Sequence, residues 1–386
     1  MNSEQIKNLD NEYIIHSYNR FDVVFDHGEN ARIFDKDGKE YIDLTSGIGV
    51  NSLGFCNKGW IGAVTAQLGK IQHSSNLFFH EPGVTLAEKL VKRSGLRKVF
   101  FCNSGAEANE TAIKIARKYG KQGDRERINI VSFNNAFHGR TFGSLTATGR
   151  YMDPFVPCVP GFVHTDINDI DQLKQVVEKD DPAAIIAEMI QGEGGLINLD
   201  EGFVKEMYQL CRDKDILLIV DEVQSGIGRT GKFFSYEHYG IEPDIVSFAK
   251  GIGGGLPLGG VICGSRACDV LEPGDHGTTF GMNPVISAGA NYVVDTIDEA
   301  FLADVNRKAD HIRAELEKLD EVGGTTGLGL MIGIDLKTKK PADVLAALRE
   351  NGVLVLTAGT RIRLLPPLTI TDQDIDQALE AFRKVL

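Results

Sequence analysis

Paired cysteine motifs are missing from this chain. Its six cysteines are scattered, none stands in a Cys-x-x-Cys, and the nearest two are Cys263 and Cys268. That pattern gives neither a zinc ribbon nor a disulfide framework and fits reduced thiols in a cytoplasm; no metal site is expected. No apolar run approaches the about 18–20 residues of a membrane span. The polar, mixed-charge opening MNSEQIKNLDNEY has the composition of neither a secretory signal nor a transit peptide. Positive charge is also in short supply. Lys and Arg number 41 against 54 Asp and Glu, a formal net charge of −13, which disfavours nucleic acid and anionic membranes as partners. Any anionic ligand must be held by local donors.

Glycine is plentiful instead: 43 of 386 residues, against a typical ~7%. Short apolar runs alternate with helical patterns. VFFC (99–102) precedes a helix whose apolar face carries Ala108, Ala112, Ile115, Ala116 and Tyr119. INIVSF (128–133), AAIIAEM (183–189), ILLIV (216–220) and DIVSFA (244–249) read as further strands, with FVKEMYQLCRDKD (203–215) as a helix feeding ILLIV. Nearly continuous apolar strands are those buried on both faces, and strand–helix–strand order means a parallel α/β sheet. From about residue 284 the pattern turns α+β, with a long helical stretch over 285–320. ARIFDKDGKEYIDL carries Asp37-Gly38 between two strand-like runs, a hairpin signal. The expected division is an N-terminal segment (1–45) packing with a small C-terminal α+β domain (284–386), and a large domain over 46–283.

In open parallel sheets ligands bind beyond the carboxyl ends of the strands. The residues at those ends are therefore the candidates. Ser104-Gly105-Ala106 opens a helix, where backbone N–H groups and the helix dipole favour a phosphate; an ordinary Ser cap explains the same letters. Phe137 and His138 follow INIVSF and offer flat faces for stacking. Asp221 ends five apolar residues, and a buried carboxylate needs a positive partner or several hydrogen bonds. Lys250 ends DIVSFA and is followed by GIGGGLPLGG. A lysine that attacks a carbonyl must lose its proton near pH 7, a shift of about three units or about 4 kcal/mol. Glycines after it would leave a wall without side chains for a flat ligand. Gly226-Ile227-Gly228-Arg229-Thr230-Gly231 matches a GxGxxG string, but DEVQS separates it from the strand, so a nicotinamide oxidoreductase is the weaker reading.

Taken together, DLTSGIGVNSLG, HSSNLFFHEP, FFCNSGAEANE, FHGRT, IVDEVQSGIGRTG, FAKGIGGGLPLG, GTTFGMNP and RLLPPLTI resemble the class III, fold-type-I aminotransferases, which use pyridoxal 5′-phosphate. The resemblance covers nearly the whole chain and implies a mostly parallel seven-stranded sheet. It implies Lys250 as the lysine that carries the cofactor and moves the proton, and Asp221 as partner of the protonated ring nitrogen. Val223 and Phe137 would pack on the two ring faces, with Glu222 and Gln224 beside the ring. Ser104, Gly105 and Ala106 would hold the phosphate, joined by Thr279 from a second copy, so a homodimer with shared sites is implied. Arg140 would hold a substrate carboxylate, with Thr278 near it. Arg363 would take the glutamate carboxylate, and Glu193, in a glycine-flanked loop, would neutralise Arg363 when none is bound. SSNLFFHEP, AFHGR and RLLPPLTI are most similar to the acetylornithine branch, which implies N-acetylornithine as amine donor and 2-oxoglutarate as acceptor. Other ω-amino donors, namely ornithine, succinylornithine, GABA or a diamine, remain the alternatives. Two departures from the family pattern are Phe55-Cys56-Asn57-Lys58-Gly59-Trp60 and Met282.

Overall fold

The computed structural model describes residues 1–386. At its centre lies a seven-stranded sheet in the order Lys98–Cys102, Gly259–Cys263, Ile245–Phe248, Leu217–Asp221, Ala184–Ala187, Ile130–Phe133, Phe162–Thr165. Gly259–Cys263 runs antiparallel to both neighbours, and the pairings from Ile245–Phe248 outward are parallel. The strands are short and apolar because both faces are covered. Leu217–Asp221 and Ile245–Phe248 are buried along their whole length.

The helix Gly105–Tyr119 covers one face through the expected stripe: Ala108, Ala112, Ile115, Ala116 and Tyr119 are all buried. The helix Glu201–Asp213 covers the other through Phe203, Val204, Met207 and Cys211. The helical stretch after residue 284 is two helices, Pro284–Thr296 and Glu299–Leu316. Asp298 lies between them and caps the second by accepting from the Phe301 N–H at 2.8 Å.

The termini meet in space. Phe25–Glu29, Arg32–Asp35 and Glu40–Asp43 form an antiparallel meander with Gly38 at φ +84°, the left-handed turn expected at Asp37-Gly38. Val353–Leu354 extends that sheet in parallel with Glu40–Asp43. A further sheet pairs Val322–Leu328, Met331–Leu336, Arg361–Leu364 and Leu356–Ala358. Leu44, Val353, Ile362 and Phe382 share one continuous apolar core with Leu218, Val220 and Phe248. The C-terminal strand that carries Arg363 thus shares its core with the central sheet.

The two departures occupy specific places. Met282 sits at φ +61°, a left-handed conformation that suits glycine, and fills the space beside Gly83, whose Cβ would lie 2.4 Å from Met282 Cγ. Trp60 packs on Gly254 in the glycine run after Lys250, where a Cβ would lie 2.6 Å from the indole nitrogen.

Gly260 tests this close packing. A Cβ there would lie 2.4 Å from the Phe100 carbonyl oxygen and 2.7 Å from Phe248 Cζ. Gly260→Ala is expected to destabilise by about 1–3 kcal/mol. Gly62, exposed in the helix Lys58–Leu68, has open space around its Cβ direction, so Gly62→Ala should stabilise by about 0.5–1 kcal/mol. Denaturation midpoints of the two variants read both signs.

Candidate active site

Parallel register brings the main charges together. Asp221 pairs with Ser247 across adjacent strands, and Lys250 follows three residues later, so both emerge at the same edge. They line a cavity of about 430 Å³ with Ser104, Gly105, Ala106, Phe137, Arg140, Val223 and Gln224. Lys250 adopts φ +47° at the start of the turn Lys250–Gly253. A non-glycine residue held there costs about 1–3 kcal/mol, and such strain gathers at functional sites. Ser52 steadies the next peptide by donating to the Gly251 carbonyl at 2.8 Å. Burial pushes the Lys250 amine below its ordinary value, and the Arg363 guanidinium adds to the fall. Glu193, Asp221 and Glu188 oppose it across space, with no hydrogen bond to Lys250.

Asp221 is fully hydrogen-bonded. Its Oδ2 accepts from Asn109 Nδ2 at 2.7 Å and meets His138 Nδ1 at 2.8 Å, and its Oδ1 accepts from the Val223 N–H at 3.0 Å. Burial opposes charge on His138, but Asp221 outweighs it and the imidazole is raised. Asn109 also donates to the His138 carbonyl at 2.7 Å, which locks the pair. Ser104 caps the helix by accepting from the Glu107 N–H at 3.2 Å. The Gly105 and Ala106 N–H groups in that first turn are without helical acceptors. Gly105 is obligatory, since a Cβ would lie 2.6 Å from Val223 Cγ1.

At the rear of the site, Arg363 is 3% exposed. Its Nη1 donates to Glu193 Oε1, to the Gly192 carbonyl at 3.2 Å and to Gln224 Oε1 at 3.3 Å. Burial would raise the half-buried Glu193 carboxyl, but Arg363 holds it below the ordinary range. At the mouth, Arg140 is exposed and lies 3.8 Å over the Tyr151 ring and 5.7 Å from the Phe137 centroid.

Five expected residues are not among those lining this cavity: Glu222, Thr278, Thr279, and the pair Glu193 and Arg363, which meets the cavity through the lining residue Gln224. Glu222 turns away because successive residues at a strand end face opposite sides. It is buried against Ser225 Oγ at 2.8 Å, Ser235 Oγ at 2.6 Å and the Tyr236 N–H at 3.0 Å, so it does not flank a ring. Thr278 stands one residue behind the wall: its Oγ1 accepts from the cavity residue Asn103 at 3.0 Å. Thr279 is exposed and contributes nothing to the cavity of its own chain. His138 bonds to Asp221 through its edge rather than standing free as a stacking face. The GxGxxG string opens no helix. Its Arg229 is buried and donates to the Leu330 and Pro366 carbonyls at 3.0 and 2.5 Å, a structural junction with no room for a dinucleotide.

Sequence reasoning passes over Asn109 and Glu188. Asn109 is a polar residue on an otherwise apolar helix face, four positions after Gly105. Glu188 ends an apolar run just as Asp221 does, and the same argument applies to it.

The family description "Aminotransferase class-III" matches residues 13–386. The chain belongs to the class-III aminotransferases. It is 47% identical to an acetylornithine aminotransferase from Haemophilus ducreyi, over 100% of this chain and 99% of that protein. It is 44% identical to one from Methanocaldococcus jannaschii, over 100% and 98%. Among solved structures, ornithine aminotransferase from Toxoplasma gondii superposes with a TM-score of 0.92 at 31% identity, covering 99% of this chain and 93% of that one. An acetylornithine aminotransferase from Elizabethkingia anophelis gives 0.88 at 32%, covering 100% and 99%.

Pyridoxal phosphate, the cofactor of this family, fits the residues present. The helix N-terminus suits its phosphate, the Asp221 carboxylate suits a protonated ring nitrogen, and Lys250 suits its aldehyde. His138 Nε2 and Asn109 Oδ1 are buried without partners, as expected where a further polar group completes a site.

Removing the Asn109 side chain leaves both the Asp221 carboxylate and the His138 carbonyl short of a donor. Asn109→Ala is expected to cost about 1–3 kcal/mol and to weaken cofactor binding. Chemical denaturation with and without pyridoxal phosphate checks this. An unchanged midpoint and affinity would show that Asn109 does not support Asp221.

Proposed function

We propose that this chain transfers the terminal amine of N2-acetyl-L-ornithine to 2-oxoglutarate, giving N-acetylglutamate 5-semialdehyde and L-glutamate, a step of arginine biosynthesis. The observation that carries this reading is the Glu193–Arg363 pair beside the cavity residue Gln224, because it answers a chemical problem. An ω-amine donor has no carboxylate beside its reacting carbon, whereas glutamate has one. A bare arginine would suit glutamate and strand a charge against the ω-amine donor. The acetylornithine aminotransferases at 44–47% identity over the whole chain support this choice of donor.

Bound in this cavity, pyridoxal phosphate supplies an electron sink and a carrier for the amino group. The chain's residues do the rest. Gly105 and Ala106 N–H groups hold the phosphate, with the Ser104 cap fixing that turn. Asp221, backed by His138 and Asn109, would keep the ring nitrogen protonated by charge attraction. Val223 and Phe137 would wall the ring, with Gln224 beside it, since all three line the cavity. Lys250 carries the cofactor and moves the proton at the reacting carbon. Arg140 takes the α-carboxylate of the acylated donor, with Thr278 behind it. Glu193 swings aside for the carboxylate of glutamate.

We also infer a cytoplasmic homodimer with sites at the interface. Leu77, Phe78, Phe79 and Phe280 are large exposed apolar residues, and Thr279 sits beside Phe280 where it would reach a second copy's phosphate site. Sedimentation of the holoenzyme at a single-chain mass would contradict this. The domain division is read as 46–283 for cofactor binding, with 1–45 and 284–386 forming the smaller unit. The packing of Pro284–Thr296 on Lys58–Leu68 and Glu81–Ser94 supports moving that border to the end of this helix.

Rates with N2-acetylornithine, ornithine, succinylornithine and GABA test the donor, and preference for any of the last three overturns it. Lys250→Ala should bind cofactor yet lose turnover by several orders of magnitude, and borohydride should fix a pyridoxyl group on Lys250 alone. Breaking a buried ion pair costs about 3–5 kcal/mol. With Glu193 half-buried that figure is discounted, and Glu193→Ala should still shift preference toward α-amines by at least about tenfold, the equivalent of 1.4 kcal/mol. Arg363→Ala should lose the glutamate half-reaction first. Equal losses in both half-reactions, read by single turnover, would mean that no such switch operates.

A further inference from the structure

Glu188 is a buried carboxylate that the reaction just described does not use. It follows the strand Ala184–Ala187, lines the cavity and is 7% exposed. Its two oxygens reach two different loops. Oε2 accepts from the Phe137 N–H at 3.0 Å, and Oε1 accepts from the Gly192 N–H at 3.2 Å. Phe137 is a wall of the cavity, and Gly192 is the residue before Glu193. The Gly192 peptide is held on its other side as well, since its carbonyl accepts from Arg363 Nη1 at 3.2 Å. A Cβ on Gly192 would lie 2.4 Å from Gln224 Oε1, so the Gly192 peptide packs closely against Gln224. When a substrate carboxylate takes Arg363, the bond from Glu188 still holds the Gly192 N–H, while the ends of the loop stay fixed by Gln191 Nε2, which donates to the Asn134 carbonyl at 2.9 Å, and by Arg361, which donates to the Gly195 carbonyl at 2.7 Å.

We propose that Glu188 is a positioning residue for donor choice: as a carboxylate it ties the Gly192 hinge of the Glu193 loop to the Phe137 turn, and as a neutral acid it releases one of them. This rests on the Glu193–Arg363 switch proposed above. A neutral acid uses one oxygen to carry its proton and cannot serve both N–H groups equally well. The charged groups around it are His138 from the turn after Ile130–Phe133, Asp221 from the neighbouring strand end, Lys250 across the cavity, and Glu193 with Arg363 beyond Gly192. Burial pushes the Glu188 carboxyl up to about 7; His138 pulls it down and Asp221 pushes it further up. The release therefore falls within the pH range of ordinary assays. Above that range the two loops are tied, and below it they are not.

Hydrogen exchange of the Phe137 and Gly192 amides reads the tie directly, in both cofactor-free and cofactor-loaded full-length protein. After correction for intrinsic exchange, the wild type is expected to lose protection at one or both amides between pH 8 and pH 6. Glu188→Gln should show the lower protection at both pH values. The ratio of single-turnover rates for N2-acetylornithine and glutamate should vary with pH in the wild type and be flat in Glu188→Gln. A merely structural Glu188 would lower the stability of that variant and leave the pH dependence of the ratio in place, which would overturn the proposal. So would amide protection that responds to neither pH nor the substitution. If Glu188→Gln does not fold, the wild-type exchange profile alone decides. If Glu193→Ala shifts donor preference while exchange ignores Glu188, only this proposal falls. If exchange behaves as expected while Glu193→Ala changes nothing, the switch itself falls and takes the donor role of Glu188 with it.

Discussion

A carboxylate buried at the end of a central strand is the constraint around which this site is arranged. Leu217–Val220 places Asp221 where water cannot solvate it, and an unpaired buried charge is costly. Three donors answer that demand from three elements: Asn109 from a helix, His138 from a loop and the Val223 N–H from its own turn. Each also fixes a wall of the cavity. Asn109 anchors the helix whose first turn leaves N–H groups without helical acceptors, His138 anchors the turn that carries Phe137, and Val223 is itself a wall. The same parallel register brings Lys250 to the same edge. One buried charge thus sets the positions of the anion cradle, the flat walls and the amine.

A second buried charge underlies the proposed specificity. Arg363 has no water to solvate it, so Glu193 and the Gly192 carbonyl serve in its place. The chain carries a net charge of −13, so its overall field repels dicarboxylates. In the proposed reading, local arginines hold them instead. Arg140 at the mouth is free of any carboxylate and rests on Tyr151, whereas Arg363 at the rear is masked. One arginine is always available and the other only on exchange, an arrangement suited to two substrates that differ in where their carboxylates lie.

Much of this is legible in the sequence, for a physical reason. Charges that end apolar runs, as Asp221 and Lys250 do, are conspicuous because burying them has a cost. The stripe on Gly105–Tyr119 is legible because helical period and burial agree. Two strands of the central sheet are not legible. Phe162–Thr165 is only half-buried at the sheet edge, so it lacks the continuous apolar signal. Gly259–Cys263 opens with two glycines that resemble a loop, although Gly259 is there because a Cβ would lie 2.5 Å from the Ser104 carbonyl oxygen. The break between Thr296 and Glu299 is hidden because Asp298 is an ordinary polar residue in an amphipathic pattern. Asn109 is silent because its partner is 112 positions away. The direction of Glu222 depends on a strand end that its own letters do not set. The pairing of Glu193 with Arg363 comes from resemblance alone, since 170 residues separate them.

The central claim is that the charge on Asp221 keeps the cofactor's ring nitrogen protonated. Nitrogen-15 NMR of the protein loaded with ring-labelled pyridoxal phosphate tests it at the atom concerned. The account predicts the chemical shift of a protonated pyridine nitrogen in the wild type and of an unprotonated one in Asp221→Asn. An unprotonated nitrogen in the wild type, or the same shift in both proteins, would contradict it.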